Sequence, residues 1–505
     1  MTHANEAAKT SALIVGAGSS GMAAALELAR HGIVPMLIDA SPEAQQESRG
    51  TGLQARTLEL LDMHGVSDRI VALGTPIRSL TQFRDGMEIG RVHFALTPSR
   101  FATAPALPQY KTEGALRERL AEYGVVPEWG QRLVSLEQDG QGVRAVLESE
   151  NGERVVHADY VIGCDGARST VRKLINQVFE GTSYPEGWGL LDVTLDWDLS
   201  PDEVRVFRIA GSQQQFVVTP FGGNAYRVQA DHRPEAIARE VPTIDEMCDL
   251  FRRHTGLRGE LSNPQWASAF NIHRRQVVNY RDGRVFLAGD AAHIHTPAGG
   301  QGLNTGIQDG LNLGWKMALV LRGDADPSFL DSYEEERKPV AAGVLELSEI
   351  LARTPEGLFT NAHFDPVQVA TRVGQLLVNY REGPLGQSAR GEGLLQAGDR
   401  IPDIEIEGES LYRKLAGGGF VVVLFDGAGP ASPADDAALV RKWSMAADGA
   451  LATALGGAPG AVVLRPDGYL GVVFDGDPVE AFAAATAWID EGLKAKVASR
   501  EKVLG

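Results

Sequence analysis

Cysteine is almost missing from this chain: Cys164 and Cys248 are the only two in 505 residues. Two thiols cannot build a disulfide framework or a cysteine metal cluster, so both read as small core residues of a reducing, cytoplasmic protein. Long apolar runs are missing as well. No stretch of about 18 apolar residues occurs, and no membrane span is expected. The opening "MTHANEAAKTS" lacks the apolar heart of a signal peptide and reads as a frayed leader. Basic charge is in deficit, with 48 Lys and Arg against 66 Asp and Glu, a net −18. That balance argues against nucleic acid or an anionic membrane as the main partner. No internal repeat or low-complexity block stands out.

What is present is a globular composition, 43% hydrophobic and 23% charged. A chain of 505 residues exceeds one ordinary core and should divide into two or three domains. "SALIVGAGSSGMAAALELARHGIVPMLIDA" reads as strand, glycine turn, helix and strand, one βαβ unit opening an α/β domain. Helical spacing follows over 56–66 and 113–124. Strands then alternate with "QDGQG" and "ENGE", two hairpin signals. From 181 to 275 the period changes to two, in "LLDVTLDW", "VRVFRIA", "QQFVVTP" and "AYRVQA", which predicts an inserted antiparallel sheet. The expected division is therefore 11–180 and 276–385 for the α/β domain with its helices, 181–275 for the sheet, and 395–505 for a small α/β tail beyond a loose linker at about 383–399.

Three motifs carry the chemistry. Gly16-Ala17-Gly18-Ser19-Ser20-Gly21 fits G-x-G-x-x-G between a strand and a helix. Its glycines allow a tight turn, close approach of a pyrophosphate to the backbone, and close helix–strand packing. Asp39 ends the next strand, where a carboxylate accepts hydrogen bonds from ribose hydroxyls. This motif leaves NAD and FAD undecided. Asp165-Gly166-Ala167-Arg168-Ser169 follows another strand; its bland reading is a helix cap beside a solvated arginine. In "GRVFLAGDAAHIHTPAGGQGLNTGIQDGLNLGWKMALVL", Asp290 at a strand end is placed for a polyol hydroxyl. Gly299, Gly300 and Gly302 there let backbone N–H groups reach a flat ligand ahead of a helix N-terminus, which stabilises negative charge. His293 and His295 have no metal-ligand partners at useful spacing and read as loop hydrogen-bonding residues; no metal is expected.

Together the three motifs resemble the FAD-dependent aromatic hydroxylases, the single-component flavoprotein monooxygenases, over about residues 11 to 350. By that resemblance Gly16, Gly18, Ser20, Gly21, Asp39 and Ala40 hold the adenine dinucleotide. Asp165, Gly166 and Arg168 form the second motif, implicated in both FAD and nicotinamide binding. Gly289 and Asp290 bind the ribitol, Pro297 lies against the isoalloxazine, Gly300, Gly302 and Leu303 contact its pyrimidine edge, and Asn304 starts the helix behind it. "SRGTGLQARTLELL" adds Arg49 and Gln54, and "LPQYKTEGALRERL" adds Gln109. Two departures are Gly50, where alanine commonly follows the arginine, and "LIDA", which lacks the basic residue that often follows the acid. The tail resembles the thioredoxin-like domain of the phenol- and polyketide-hydroxylase branch. It has no C-x-x-C, and no cysteine follows Cys248, so thiol redox chemistry is excluded there and an interaction or stabilising role is left.

The resemblance implies a Rossmann-type FAD-binding domain with an inserted antiparallel-sheet substrate domain and a thioredoxin-like C-terminal domain. It implies FAD as cofactor, NADPH or NADH as transient reductant, and O2, with oxygen passing from a flavin C4a-hydroperoxide to a phenolic or polycyclic aromatic ring. A general base is expected and no residue is identified for it. The substrate-facing stretch expected from the sequence is "FVVTPFGGNAYR", with Phe216, Pro220 and Phe221 beside Pro297 and Ala298; its register is not readable. The aromatic residues of the inserted sheet, Trp188, Trp197, Phe207, Phe216 and Phe221, are candidates to line an aromatic pocket, with ordinary core packing the expected role of most. Baeyer–Villiger oxygenation, a non-oxygenating flavin dehydrogenase and a non-catalytic flavin-binding protein stay open. A halogenase is disfavoured, since no W-x-W-x-I-P occurs. The partner expected is a small aromatic substrate, with no nucleic acid; a homodimer stays open.

Overall fold

The computed structural model describes residues 8–46, 50–212, 214–233, 240–296, 298–353, 365–386, 394–425 and 439–494. The apolar run at the start forms the strand Ala8–Val15, flanked in parallel by Met36–Ile38 and by Gly152–Gly163. Val285–Leu287 pairs in parallel with the far side of the last. The register sets Val15 opposite Ile38 and Gly163, and Gly163 opposite Leu287. The strands thus end level. The three glycine-rich segments that follow them emerge side by side at the C-terminal edge of the sheet, where open α/β sheets bind ligands. Both turn signals are realised as antiparallel hairpins, Arg132–Gln138 with Val143–Ser149 and the latter with Gly152–Gly163.

Two helices back this edge, Ser19–Arg30 and Gly302–Arg322. Their contact is a glycine seam. A Cβ on Gly310 would lie 2.4 Å from the Ser20 carbonyl oxygen, and one on Gly314 2.6 Å from the Glu27 Cβ. Only glycine permits that approach, so the sequence "NTGIQDGLNLG" fixes how close the two helices sit.

The second sheet has eight strands. In spatial order they are His293–Ile294, Glu260–Val277, Phe179–Asp196, Ala225–Arg233, Gln215–Gly222, Glu203–Arg208, Ser79–Arg84 and Met87–His93. The antiparallel insertion expected over 181–275 is therefore only part of it. Two strands come from upstream, and Ser79–Arg84 pairs in parallel with Glu203–Arg208, a partner more than a hundred residues later. Such a pairing leaves no local turn signal. The helix Ile244–Thr255 covers one face, where Phe207, Phe216, Val218, Tyr226 and Phe251 form an apolar core. The other face looks toward the glycine-rich edge of the first sheet.

The tail is a four-stranded mixed sheet, Val440–Ser444, Phe420–Leu424, Ala461–Leu464 and Leu470–Phe474 in order, packed by the helix Pro478–Lys494. This is consistent with the expected thioredoxin-like shape. Its core is not its own: Trp315 and Leu319 of the long helix Gly302–Arg322 pack with Phe420, Val422 and Ile489. A buried charge array adds to the docking. Glu336 accepts from Lys316 Nζ at 2.7 Å and from both Nη atoms of Arg465 at 2.8 and 2.9 Å, all with fully buried side chains. Part of the expected linker, residues 387–393, lies outside the described residues. No described helix is long and apolar enough to cross a membrane.

Candidate active site

The first turn is built around two glycines, Gly16 and Gly21, that a larger residue could not replace. Gly16 has φ +108°, and a Cβ there would sit 2.4 Å from the Cys164 carbonyl oxygen; one on Gly21 would sit 1.9 Å from the Gly16 carbonyl oxygen. Gly18 differs: its Cβ direction is open, with the nearest atom, Glu113 Oε1, 3.8 Å away. The backbone ahead of the helix Ser19–Arg30 is thus bare toward the cavity. Asp39 pins this turn, accepting from Ala17 N and Ser41 N, both at 2.8 Å. Each carboxylate oxygen keeps a second lone-pair site for a ribose hydroxyl. Ala40 follows it as an exposed bend.

Glu113 was not visible as a site residue in the sequence. It is buried, and its Oε1 accepts from Ser19 N at 3.2 Å, Ser19 Oγ at 3.0 Å and Gln109 Nε2 at 2.8 Å. Burial pushes its carboxyl above the ordinary value, with the bonds from Gln109 and Ser19 opposing. Gln109 in turn accepts the Gly50 N–H at 3.1 Å, so its amide orientation is set from both ends. Gly50 is a coupled departure. An alanine there would bring its Cβ within 2.9 Å of Gln109 Oε1 and 3.0 Å of Leu303 Cδ2.

In the second motif the bland reading is realised for the carboxylate. Asp165 accepts from Ser169 Oγ at 2.5 Å, Thr170 N at 2.6 Å and Val171 N at 3.1 Å, capping the short helix Thr170–Leu174. Arg168 is exposed at the cavity mouth, and Gly166 adopts φ +76° with nothing near its Cβ position.

The third motif makes the floor for a flat ligand. Gly289 has φ +60°, and a Cβ there would meet Ser20 Oγ at 2.4 Å, so the first and third turns touch. Asp290 is exposed and lines the cavity. Gly299 and Gly300 are both left-handed, φ +78° and +63°, and Gly300 presents bare backbone to the cavity, its Cβ direction ending 3.9 Å from Gln54 Nε2. Gly302 opens the long helix with Leu303 at the cavity wall. Asn304 accepts the Gln54 N–H at 2.7 Å and donates to Gly52 O at 3.2 Å and Gly300 O at 2.9 Å. Arg49 and Pro297 lie outside the described residues, as does the side chain of Ala298.

Behind this turn sits a buried ion cluster. Asp309 accepts from His293 Nε2 at 2.6 Å, Arg337 Nε at 2.7 Å and Gly289 N at 3.1 Å. Burial raises the Asp309 carboxyl, but Arg337 and His293 outweigh it and hold it below the ordinary value. His295 Nδ1 meets the Thr296 carbonyl at 2.9 Å, and burial lowers its pKa. Both histidines thus serve the loop.

The turns and the second sheet enclose one cavity of about 1250 Å³. That exceeds the roughly 300–1,000 Å³ of ordinary small-molecule sites and leaves room for a ring system and a substrate together. Four arginines line it, Arg168, Arg172, Arg208 and Arg275, against two acids, Asp165 and Asp290. A strongly acidic protein thus keeps an electropositive pocket, suited to phosphates and other anions. The bare glycine backbone, the pinned acid at a strand end and this charge all fit an FAD.

The substrate-facing residues require a correction. Phe216 is fully buried in the core beneath the helix Ile244–Thr255, on the face turned away from the cavity. Pro220, four residues on, shares that direction. Phe221 packs with Ile77, Phe94, Ala106 and Val373 rather than lining the wall. A one-residue change of register moves every side chain to the other face, and the residues that line the cavity are Gln215, Val217 and Thr219. Sequence reasoning also missed Gln82 and Arg208 on neighbouring strands, and Val369 and Val373 on the helix Pro366–Val373. Alternation in "QFVVT" separates the two faces but does not say which is covered.

Fold and site together define an FAD-dependent aromatic monooxygenase, with the cofactor turns and the substrate sheet sharing one cavity. Comparison with known proteins agrees. Residues 9–348 match the family described as FAD binding domain, and the chain belongs to that family. It is 35% identical over 415 residues to pentachlorophenol 4-monooxygenase of Sphingobium chlorophenolicum, covering 79% of this chain and 77% of that one. It is 33% identical to rifampicin monooxygenase of Streptomyces venezuelae, covering 94% and 98%. Among solved structures, OxyS anhydrotetracycline hydroxylase from Streptomyces rimosus superposes with TM-score 0.78 at 29% identity, over 96% of this chain and 99% of that one.

Proposed function

We propose that this chain hydroxylates a phenolic or polycyclic aromatic substrate, using NADPH or NADH as transient reductant and O2 as oxygen source. The observation that carries the reading is the electropositive cavity shared by the three glycine turns and the antiparallel sheet. Relatives named for chlorinated phenol, rifampicin and anhydrotetracycline substrates support an aromatic, oxygenated ligand.

When bound, FAD supplies the redox and oxygen-activating chemistry that side chains lack. The residues here do the rest. The turn at Gly16 to Gly21 and Asp39 would hold the adenosine diphosphate half. Gly300, Gly302 and the N-terminus of the long helix would face the pyrimidine edge, where helix-terminal N–H groups stabilise negative charge. Asn304, Gln54 and Gln109 hold the facing loops in register, and the apolar wall of Ile77, Leu80, Val206 and Val217 excludes water from the aromatic ring.

The test is direct. The purified protein should be yellow, and a hydroxylated anthraquinone should accelerate its NAD(P)H consumption with one oxygen atom recovered in the product from 18O2. Oxygen inserted into a ring carbon–carbon bond would establish the Baeyer–Villiger outcome instead. A protein that binds no flavin would end the proposal.

A further inference from the structure

The cavity's far wall carries a polar stripe that none of the cofactor turns uses. Its floor crosses six adjacent strands, marked in order by Phe270, Trp188, Gln229, Gln215, Arg208 and Gln82. At about 4.8 Å per strand, five steps amount to about 24 Å, far longer than one aromatic ring. Arg208 lies toward the distal end and is 5% exposed. Its setting is built. Gln215 places its backbone N–H and its Nε2 on the two oxygens of Asp231, at 2.7 and 2.8 Å. That leaves Gln215 Oε1 turned to Arg208, which donates from Nη2 at 2.5 Å. The guanidinium is therefore held along the floor rather than free to fold back to solvent.

Asp231 on the strand Ala225–Arg233 favours the guanidinium, and Arg84 on the strand Ser79–Arg84 opposes it, with burial the larger influence. Gln215 stands opposite Arg208 on the next strand, and the other polar side chains lining the cavity on nearby strands include the uncharged amides Gln82 and Gln229. The cavity's two acids, Asp165 and Asp290, belong to the cofactor turns.

Resting on the proposed hydroxylase function, we infer that Arg208 selects a polycyclic substrate carrying an acidic ring oxygen and binds that oxygen as its anion, with Gln82 and Gln229 taking neighbouring ring oxygens. A desolvated guanidinium pairs with an oxyanion more strongly than with a neutral hydroxyl. Binding there lowers the pH at which the oxygen ionises, so this end of the substrate needs no carboxylate or imidazole base. The cavity's breadth across the sheet makes the preferred ligand three or more fused rings.

The experiment uses the FAD-loaded protein and alizarin (1,2-dihydroxyanthraquinone), whose ionisation changes its colour. Flavin content is read first from absorbance, which tests the proposed function separately. Bound alizarin should then ionise at least about one pH unit below the free dye, a tenfold preference for the anion. In R208Q that shift should vanish at unchanged flavin content, and R208K should restore part of it. 4-Nitrophenol, a single ring with a coloured anion, should bind at least about tenfold more weakly than alizarin, a difference of 1.4 kcal/mol. Flavin-loaded wild type that leaves the dye unbound, or binds it with unchanged ionisation, overturns the inference. So does R208Q behaving as wild type. Should R208Q fail to fold, the wild-type shift and the partial shift in R208K still decide.

Discussion

Asn304 Oδ1 accepts the backbone N–H of Gln54 at 2.7 Å, across 250 residues of sequence, while its Nδ2 donates to Gly52 and Gly300. One buried amide thus staples the loop 50–54 to the glycine turn that would face the flavin ring. Asn304→Ala leaves the Gln54 N–H buried and unpaired, at a cost of about 1–3 kcal/mol. The expected result is at least about tenfold weaker FAD binding, corresponding to 1.4 kcal/mol, read by flavin fluorescence on titrating the apoprotein. Wild-type affinity in that variant would show that the staple does not shape the cofactor site.

Two glycines in helices should respond in opposite directions. A Cβ on Gly310 would come within 2.4 Å of the Ser20 carbonyl oxygen, whereas Gly343 has nothing within 4 Å and is exposed. Gly310→Ala should force the two helices apart, with loss of about 3 kcal/mol or more and of bound flavin. Gly343→Ala should gain up to about 1 kcal/mol from helix propensity. Thermal unfolding of both variants checks the pair, and a harmless Gly310→Ala would mean the seam is not close-packed.

Glu336 should carry part of the acid sensitivity. Burial alone would raise its carboxyl, but Arg465 and Lys316 overcome that and hold it down to about 2. Its unfolded value is about 4.3. The folded state therefore binds fewer protons between these limits, and the stabilisation is present above about pH 4.3 and is lost as pH falls toward 2. Lys316, lowered by burial to about 8, titrates on the alkaline side and leaves this limb alone. Glu336→Gln should cost about 3–5 kcal/mol at neutral pH, as breaking a buried pair does, and should flatten the acid limb. Parallel melting curves from pH 7 to 3 test it; equal acid losses in both proteins would assign the limb to other groups.

The two faces of the strand Gln215–Gly222 should separate stability from recognition. Phe216→Leu thins the core beneath the helix Ile244–Thr255 and should cost about 1 kcal/mol with alizarin affinity unchanged. Val217→Phe projects into the cavity and should weaken alizarin binding while leaving the melting temperature near wild type. Reversed outcomes would mean the register is opposite.

Much of the cofactor site was legible because its elements are local. A strand, a turn needing positive φ and a helix N-terminus are neighbours in sequence, so "VGAGSSG" and "AGDAAHIHTPAGGQGLN" state their geometry almost in full. The level ending of Val15, Gly163 and Leu287 was not written in any one of them, yet three similar strand ends imply it. Asp165 shows the limit. Its motif was correctly seen, but whether the acid caps a helix or meets a ligand depends on where Ser169, Thr170 and Val171 point.

The sequence by itself determined the α/β class, the positions of the three turns and the tail's lack of thiol chemistry. Backbone conformation and hydrophobic period decide these, and both act over a few residues. Only the tertiary structure decided which face of the inserted sheet lines the cavity, that Ser79–Arg84 completes its floor, and that Arg208 stands there held by Gln215 and Asp231. Those facts depend on pairings between distant segments. A period of two is symmetric between faces, and only the helix that covers one of them breaks the symmetry.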